Sequence, residues 1–306
     1  MSVARERPTI LVTGAAGPAG RALGVLIGRL PPSRRPRAVG ADLAPRPTEG
    51  YELIEAVPAA DDPRYDRAML ELVDRHRPDL VLPTVSEELP RLAVLAAATG
   101  LGDRGLVLSG PGPARIAGDK LLTMWALARG GVPVPGHTAG GELASAAQAL
   151  RWAGGPVVVK PRVSRGGRGV HVVEHADDPV WDGLDDSWVV QTFAGGVEYS
   201  PQVHRSPRTG ECLVVVLEKT GRKQGRVGNA TSVVRLPDDR APDVAEVARR
   251  TVETLDLVGP VDLDVRRRGD GTPVVLEVNA RFGAVSPAAP ELLDAVLDEG
   301  AAGAVP

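Results

Sequence analysis

The chain has 306 residues, 43% hydrophobic but only 3% aromatic, so a core large enough for two or three domains must be built from Val, Leu, Ile and Ala. Its 36 basic residues stand against 39 acidic ones, a formal net charge of −3, which excludes a chain built to bind polyanions and leaves no nucleic-acid partner to expect. One cysteine, Cys212, excludes internal disulfides and thiolate metal clusters, and no run approaches the roughly 18 apolar residues of a membrane span, so no membrane partner is expected and the cytoplasm is the expected location.

The first hundred residues alternate between two patterns. Thr9–Thr13 reads as a strand and Pro18–Leu30 as a helix. Arg37–Ala41 is a strand, Arg64–His76 a helix and Asp79–Pro83 a strand. Ser86–Thr99 reads as a helix with Ser86 as N-cap and Glu87 and Glu88 in its first turn. "GLVLS", Gly105–Ser109, closes the series as a strand. Such alternation predicts a doubly wound parallel sheet, one Rossmann-like domain over residues 1–112. The basic clusters Arg34–Arg37 and Arg266–Arg268 read as solvated faces.

Between the first strand and helix stands "VTGAAGPAG". Gly14, Gly17 and Gly20 are spaced like the glycines that cradle a dinucleotide pyrophosphate, and Asp42 lies where a ribose-binding acid would sit. An NAD(P)-dependent short-chain oxidoreductase or epimerase is therefore an alternative. Such enzymes need a Tyr followed four positions later by Lys. Tyr51, Tyr65 and Tyr199 are followed at that distance by Glu55, Met69 and Val203. Without that catalyst, the loop reads as a tight turn in a supporting domain.

From about Pro113 three other features follow. In "AGDKLLTMWALARGG" Asp119 caps a helix to Arg129, ended by Gly130 and Gly131. Lys120 sits in its first turn, unfavourable for the helix dipole unless an anion is near. In "VVVKPRVSRGGRGVHVV" a buried strand ends in Lys160, and a glycine-rich tip leads to a returning strand. Ser164, Gly166 and Gly167 can bring backbone N–H groups to phosphate oxygens, with Lys160 as a point charge beside them. In "GPVDLDVRRRGDGTPVVLEVNAR" two adjacent strands are expected; period two puts Asp262 and Asp264 on one face, and Glu277 and Asn279 also share a face, so that two carboxylates and an amide oxygen meet across the strands. These are hard oxygen ligands of the kind Mg²⁺ prefers, and Arg281 follows within reach of a transferring phosphoryl group. His76, His137, His171, His175 and His204 have no metal-ligand spacing, and His171 and His175 read as surface residues.

Taken in order, Lys120 after "AGD", "VVVKPRVSRGGRGV", "WVVQTFAGGVEYS" and "LDVRRRGDGTPVVLEVNAR" make the chain resemble the ATP-grasp superfamily. The likeness is to its carbamoyl-phosphate-synthase-like and D-alanine-ligase-like carboxylate–amine ligases. The resemblance implies a mixed α/β and α+β fold: a Rossmann-like parallel-sheet N-terminal domain followed by a two-lobed ATP-grasp domain over 113–306. The small lobe would span about 130–192 and the metal-binding lobe about 193–306. It implies ATP and Mg²⁺ as cofactors, two ions in all, with Mn²⁺ able to substitute. Lys120 and Lys160 would contact phosphates under a loop of Ser164, Gly166 and Gly167. Gln191 and the backbone through Phe193 would face adenine, and Glu198 would bind the ribose. Asp264, Glu277 and Asn279 would hold metal, with Asp262 a second candidate. Lys160 and Arg281 would act on the transferring phosphoryl group.

The chain departs from the family in carrying Gln191 where Glu is frequent and Ala280 where Pro usually stands. The implied reaction joins a small-molecule carboxylate, such as an amino acid, to an amine acceptor through an acyl phosphate, releasing ADP and phosphate. A homodimer is left open. "EKTGRKQGRVGNATSVV" reads either as an exposed basic loop or as a carboxylate-recruiting loop with Arg226 as the contact. A non-catalytic nucleotide-binding protein is the remaining alternative.

Overall fold

The computed structural model describes residues 7–164, 166–224 and 227–303, with backbone only at 103–104, 222–224, 227–230 and 302–303. In chain order the elements are β1 (Thr9–Thr13), α1 (Pro18–Arg29), β2 (Arg37–Asp42), β3 (Leu53–Ala56), α2 (Tyr65–His76), β4 (Leu80–Leu82), α3 (Leu89–Thr99), α4 (Pro111–Ala117), α5 (Lys120–Arg129), β5 (His137–Ala139), α6 (Ala146–Ala153), β6 (Val157–Pro161), β7 (His171–Val173), β8 (Trp188–Thr192), β9 (Glu198–Tyr199), β10 (Gln202–Arg205), β11 (Cys212–Val215), β12 (Leu217–Gln224), β13 (Val227–Arg235), α7 (Pro242–Thr254), β14 (Gly259–Arg267), β15 (Pro273–Asn279) and α8 (Glu291–Gly303).

Three sheets result. The N-terminal one is parallel, in the order β3-β2-β1-β4. Its inner strands β1 and β2 and the short β4 are apolar runs buried on both faces, as a sheet covered by helices on each side requires, while β3 is a more exposed edge. One apolar core packs Leu11, Val39 and Val81 against Tyr65, Met69, Leu72 and Leu92 of α2 and α3. On the other face Ile10, Val12 and Leu23 join Leu217, Phe282, Leu292 and Leu293, so this core fuses the parallel sheet to the C-terminal part of the chain. A small antiparallel sheet runs β5-β8-β6-β7. The large sheet runs β11-β10-β14-β9-β12-β13, with β15 paired to β14. α5 and α7 cover it through Met124, Leu127, Val244 and Val252.

Three expectations are corrected. The helix begins at Leu89, not Ser86, and Ser86 does not cap it; residues 86–88 form a turn whose side chains reach elsewhere. The strand expected at Gly105–Ser109 reduces to one parallel bridge, Val81 to Leu106. The basic stretch from Glu218 to Val234 is no loop: it forms the antiparallel pair β12–β13. Arg226 lies outside the described residues. Among those residues, no helix is long and apolar enough to cross a membrane.

Candidate functional site

The first glycine turn is closed by its own chain. Gly14 takes φ +61°, and a Cβ at Gly20 would stand 2.2 Å from the Gly14 carbonyl oxygen. The glycines therefore let strand and helix pack closely. The amides of Ala15, Ala16 and Gly17 donate to Ala41 O at 3.2 Å, Asp42 Oδ2 at 2.9 Å and Gly14 O at 2.8 Å. Arg21 and Arg46 both donate to the Ala16 carbonyl. A pyrophosphate needs such amides free; here three in succession are committed, and Asp42 is bound to the turn itself. The strand order reverses between β1 and β4, where ligands of open α/β sheets usually enter. Thr13 and Tyr65 fill that crevice by donating hydrogen bonds to Glu88. Burial pushes the Glu88 carboxyl up to about 7, against the pull of those two hydrogen bonds.

The second glycine turn sits in different company. Asp119 caps α5 by accepting from Leu121 N and Leu122 N at 3.0 and 3.3 Å, and pairs with Arg162 at 2.8 Å. Burial would raise its carboxyl, but the Arg162 bonds hold it below the ordinary range. This anchoring fixes Lys120, 7% exposed, whose backbone N–H donates to Arg162 O. Its ammonium donates to Ser164 O at 2.8 Å and Ser164 Oγ at 3.2 Å, and stands 3.4 Å from Glu277 Oε1. Lys160, 4% exposed at the end of the apolar β6, donates to the Leu276 carbonyl at 2.8 Å. Burial pushes its ammonium down to about 8, with Glu277 opposing and Lys120 assisting. Gly166 and Gly167 take φ +64° and +73°, conformations that a side chain would strain.

The oxygen donors face these lysines. Asp264 pairs with Glu277 and Asp262 with Asn279 across β14 and β15, a register that puts all four on one surface of the sheet. Asn279 Oδ1 accepts from Arg281 Nη2 at 2.8 Å, and Arg281 Nη1 is 3.7 Å from Asp262. Asp262 accepts from Ser200 Oγ at 2.7 Å and from Gln202. Burial and then the like charge of Asp264 raise its carboxyl. Asp262 is thus held by Ser200, Gln202 and Arg281, as Asp264 is by Lys219. Among the described residues no three His, Cys, Asp or Glu side chains converge as a ready-made metal cluster. Mg²⁺ characteristically takes one or two carboxylates and completes its octahedron with water and substrate phosphates, so Asp264, Glu277 and Asn279 fit it.

At the nucleoside end, Gln191 on β8 is 2% exposed, and its side-chain Nε2 is buried without a hydrogen-bond partner. An orphaned buried donor costs free energy unless a ligand or water accepts from it. The Phe193 N–H is committed to Pro156 O, while its ring lies under the Arg266 guanidinium at 5.1 Å. Glu198, 6% exposed, accepts from Lys219 at 2.7 Å.

The structure thus lines one cleft between the small and large sheets with Lys120, Ser164, Glu277 and Asn279; Lys160, Asp264 and Arg281 join it through Leu276, Glu277 and Asn279, Glu198 is tied to Asp264 through Lys219, and Gln191 lies on β8 of the small sheet with Phe193 just after it. The family model of the ATP-grasp domain matches residues 117–285. The chain belongs to this family. Among curated relatives, the ATP-grasp chain is 27% identical over 274 residues to an uncharacterized protein, y4rH, of Sinorhizobium fredii, covering 77% of this chain and 56% of that protein. It is 27% identical over 238 residues to the carbamoyl phosphate synthase large chain of Rubrobacter xylanophilus, 72% of this chain and 22% of that one. The chain therefore spans about half of the first relative and about a fifth of the second. Its fold is shared with a biotin carboxylase–β,γ-ATP complex from Campylobacter jejuni, with TM-score 0.72 at 15% identity over 98% of this chain and 72% of that one. An L-amino acid ligase from Bacillus licheniformis gives TM-score 0.67 at 17% identity over 93% of this chain and 69% of that one.

Three residues of the ATP-grasp cleft escaped the sequence reading. Ser86 donates to Asn279 Oδ1 at 3.4 Å and accepts from Arg281 Nε at 3.2 Å, and Glu87 lines the same cleft. Both stand in the turn after β4 that had been read as a helix start. Lys219 had been counted among the cations of a basic loop, yet its side chain is 5% exposed. A signal was present: Lys219 ends the apolar run "VVVLEK" much as Lys160 ends "VVVK". A larger cavity, about 870 Å³, lies elsewhere, lined by Asp79, Leu80, Val258, Val296 and Glu299 and by none of the candidate residues.

Proposed function

We propose that the chain is an ATP- and Mg²⁺-dependent carboxylate–amine ligase, with residues 1–112 as a supporting domain and 113–306 as the ATP-grasp domain. One observation carries the reading: Lys120 touches both Ser164 of the glycine turn and Glu277 of the acidic strand, so phosphate-binding and metal-binding groups share one cleft.

Lys120 and Lys160 hold the β- and γ-phosphates. Gln191 offers its orphaned amide to adenine, beside Phe193, and Glu198 accepts the ribose hydroxyls. Asp264, Glu277 and Asn279 hold two Mg²⁺ ions, which when bound neutralise phosphate charge and orient the γ-phosphoryl group. Arg281, kept in place by Asn279 and Ser86, lies beside that group. A carboxylate oxygen of the first substrate attacks the γ-phosphorus, and ADP leaves with the electrons of the broken P–O bond. The amine then attacks the acyl carbon, phosphate departs, and the amine's proton passes to solvent. The chain's own contribution is charge placement and alignment, which dominate phosphoryl transfer. An amino acid as the carboxylate is supported by the fold likeness to the L-amino acid ligase; Arg226 is the proposed contact for it.

The test is ADP release over a panel of amino acids and other carboxylates with amine acceptors, run beside a thermal-shift screen. ATP with Mg²⁺ raises the melting temperature and NAD⁺ or NADP⁺ does not. Stabilisation by a nicotinamide nucleotide alone overturns the proposal. Nucleotide binding with no turnover on any pair favours a non-catalytic role.

A further inference from the structure

Across four neighbouring strands the large sheet carries a row of three acids bracketed by lysines. Lys219 stands on β12, Glu198 on β9, Asp264 on β14 and Glu277 on β15, and Lys120 closes the row from α5. Two residues in β9 are enough to place Glu198 between the flanking strands: Tyr199 pairs with both Glu218 and Val265. The Lys219 ammonium donates to Glu198 Oε1 at 2.7 Å and to Asp264 Oδ1. One buried cation thus joins the acid proposed for the ribose to the acid proposed for the metal.

That junction has a direction. A carboxylate oxygen engaged by an ammonium presents less negative charge to a second cation, and in a poorly solvated site the ammonium also repels a divalent ion directly. Lys120 and Arg281 add positive charge from the other side of the acids. A nucleotide changes this balance. Its phosphates offset the lysines, and its ribose hydroxyls donate to Glu198, taking the acceptor that helps to hold Lys219.

We infer that Lys219 is a positioning residue that keeps Asp264 from binding a divalent cation before the nucleotide arrives, so that metal enters with the nucleotide and not ahead of it. The inference rests on the proposed ATP- and Mg²⁺-dependent function.

The test uses Mn²⁺ as the probe on the full chain, followed by titration calorimetry and by the spin-resonance signal of free Mn²⁺, with and without ADP. In the wild type, ADP is expected to tighten Mn²⁺ binding at least tenfold. Lys219→Met is expected to bind Mn²⁺ about tenfold more tightly than wild type without nucleotide, and the effect of ADP shrinks by the same factor. Lys219→Arg keeps the charge and the wild-type values. Adding Asp264→Asn to Lys219→Met removes the gain. A merely structural lysine predicts the opposite, a less stable protein with unchanged or weaker metal affinity. A cooperatively folding Lys219→Met that binds Mn²⁺ no tighter than wild type overturns the inference, and Lys219→Gln serves if the Met variant does not fold. A wild type whose Mn²⁺ affinity ignores ADP overturns it without any variant. A wild type that binds neither ADP nor ATP, with or without metal, instead removes the proposed function itself.

Discussion

Two glycine-rich turns, the one at Gly14–Gly20 and the one that bears Ser164, Gly166 and Gly167, differ in their partners. At Gly14–Gly20 three successive amides donate within the protein, and Asp42, Arg21 and Arg46 seal the turn. At the second turn Lys120, itself tied to an acid on another sheet, donates to the Ser164 carbonyl and hydroxyl. Glycine spacing reports that the backbone must bend or approach closely. It does not report whether the amides so exposed are left for a ligand. The neighbours decide that: a sealed turn packs a helix on a sheet, and a turn facing lysines and acids can receive phosphates.

The largest expected effect sharpens the contrast from the second turn. Glu277→Ala removes the carboxylate that faces both Lys120 and the metal position, and should lower ADP release about a thousandfold, roughly 4 kcal/mol of transition-state stabilisation. Coupled-enzyme detection of ADP under saturating substrates checks it, and undiminished turnover would sink the metal assignment.

The next effect concerns the crevice beside the first turn, where Glu88 stays protonated up to about pH 7. A carboxyl raised in the folded state favours folding most below its unfolded value, and that advantage is lost as pH rises through the folded value. Going from pH 5 to pH 8 should therefore cost the wild type about 2–3 kcal/mol that Glu88→Gln does not lose. Urea unfolding at the two pH values measures it. Parallel curves for wild type and variant would mean that the crevice is more open to water than the burial of Glu88 implies.

How far these differences were legible follows from which contacts are local. Lys160 was readable because an apolar run ending in a cation is anomalous wherever it occurs. Asp119 was readable because capping is settled within three residues. The register that joins Asp264 to Glu277 followed from one short hairpin and strand periodicity. Lys219, Ser86 and the sealing of the first turn depend on which strands become neighbours. The order β12-β9-β14 passes through a two-residue strand, and Ser86 meets Asn279 across 193 positions of sequence. No periodicity encodes such encounters. The helix expected from Ser86 began three residues late for the same reason: residues 86–88 turn so that their side chains reach the other sheet and the crevice.

Two smaller effects set the turns against each other. Gly20→Ala would drive a Cβ into the Gly14 carbonyl, which belongs to the backbone and cannot rotate away. A loss of about 2 kcal/mol in stability is expected, with ATP affinity of the folded fraction unchanged. Gly167→Ala, in an exposed tip with φ +73°, should act in reverse, weakening nucleotide binding more than stability. Denaturant titration and calorimetry on the two variants separate the patterns, and matching behaviour would erase the distinction between the turns.

The smallest effect isolates the seal itself. Asp42→Ala removes the acceptor of the Ala16 N–H at the edge of a partly buried turn. One hydrogen bond to a charged group is worth about 1–2 kcal/mol, and partial access to water reduces that to about 1. The same substitution unlocks one of the three committed amides while leaving the other two engaged with Ala41 and Gly14. A pyrophosphate would gain a single donor and lose no steric obstacle, since Arg21 and Arg46 still occupy the Ala16 carbonyl. The variant should therefore melt slightly earlier, bind ATP as the wild type does, and gain no affinity for NAD⁺ by thermal shift. An Asp42→Ala protein stabilised by NAD⁺ would mean that one carboxylate alone had kept the first turn from acting as a dinucleotide site.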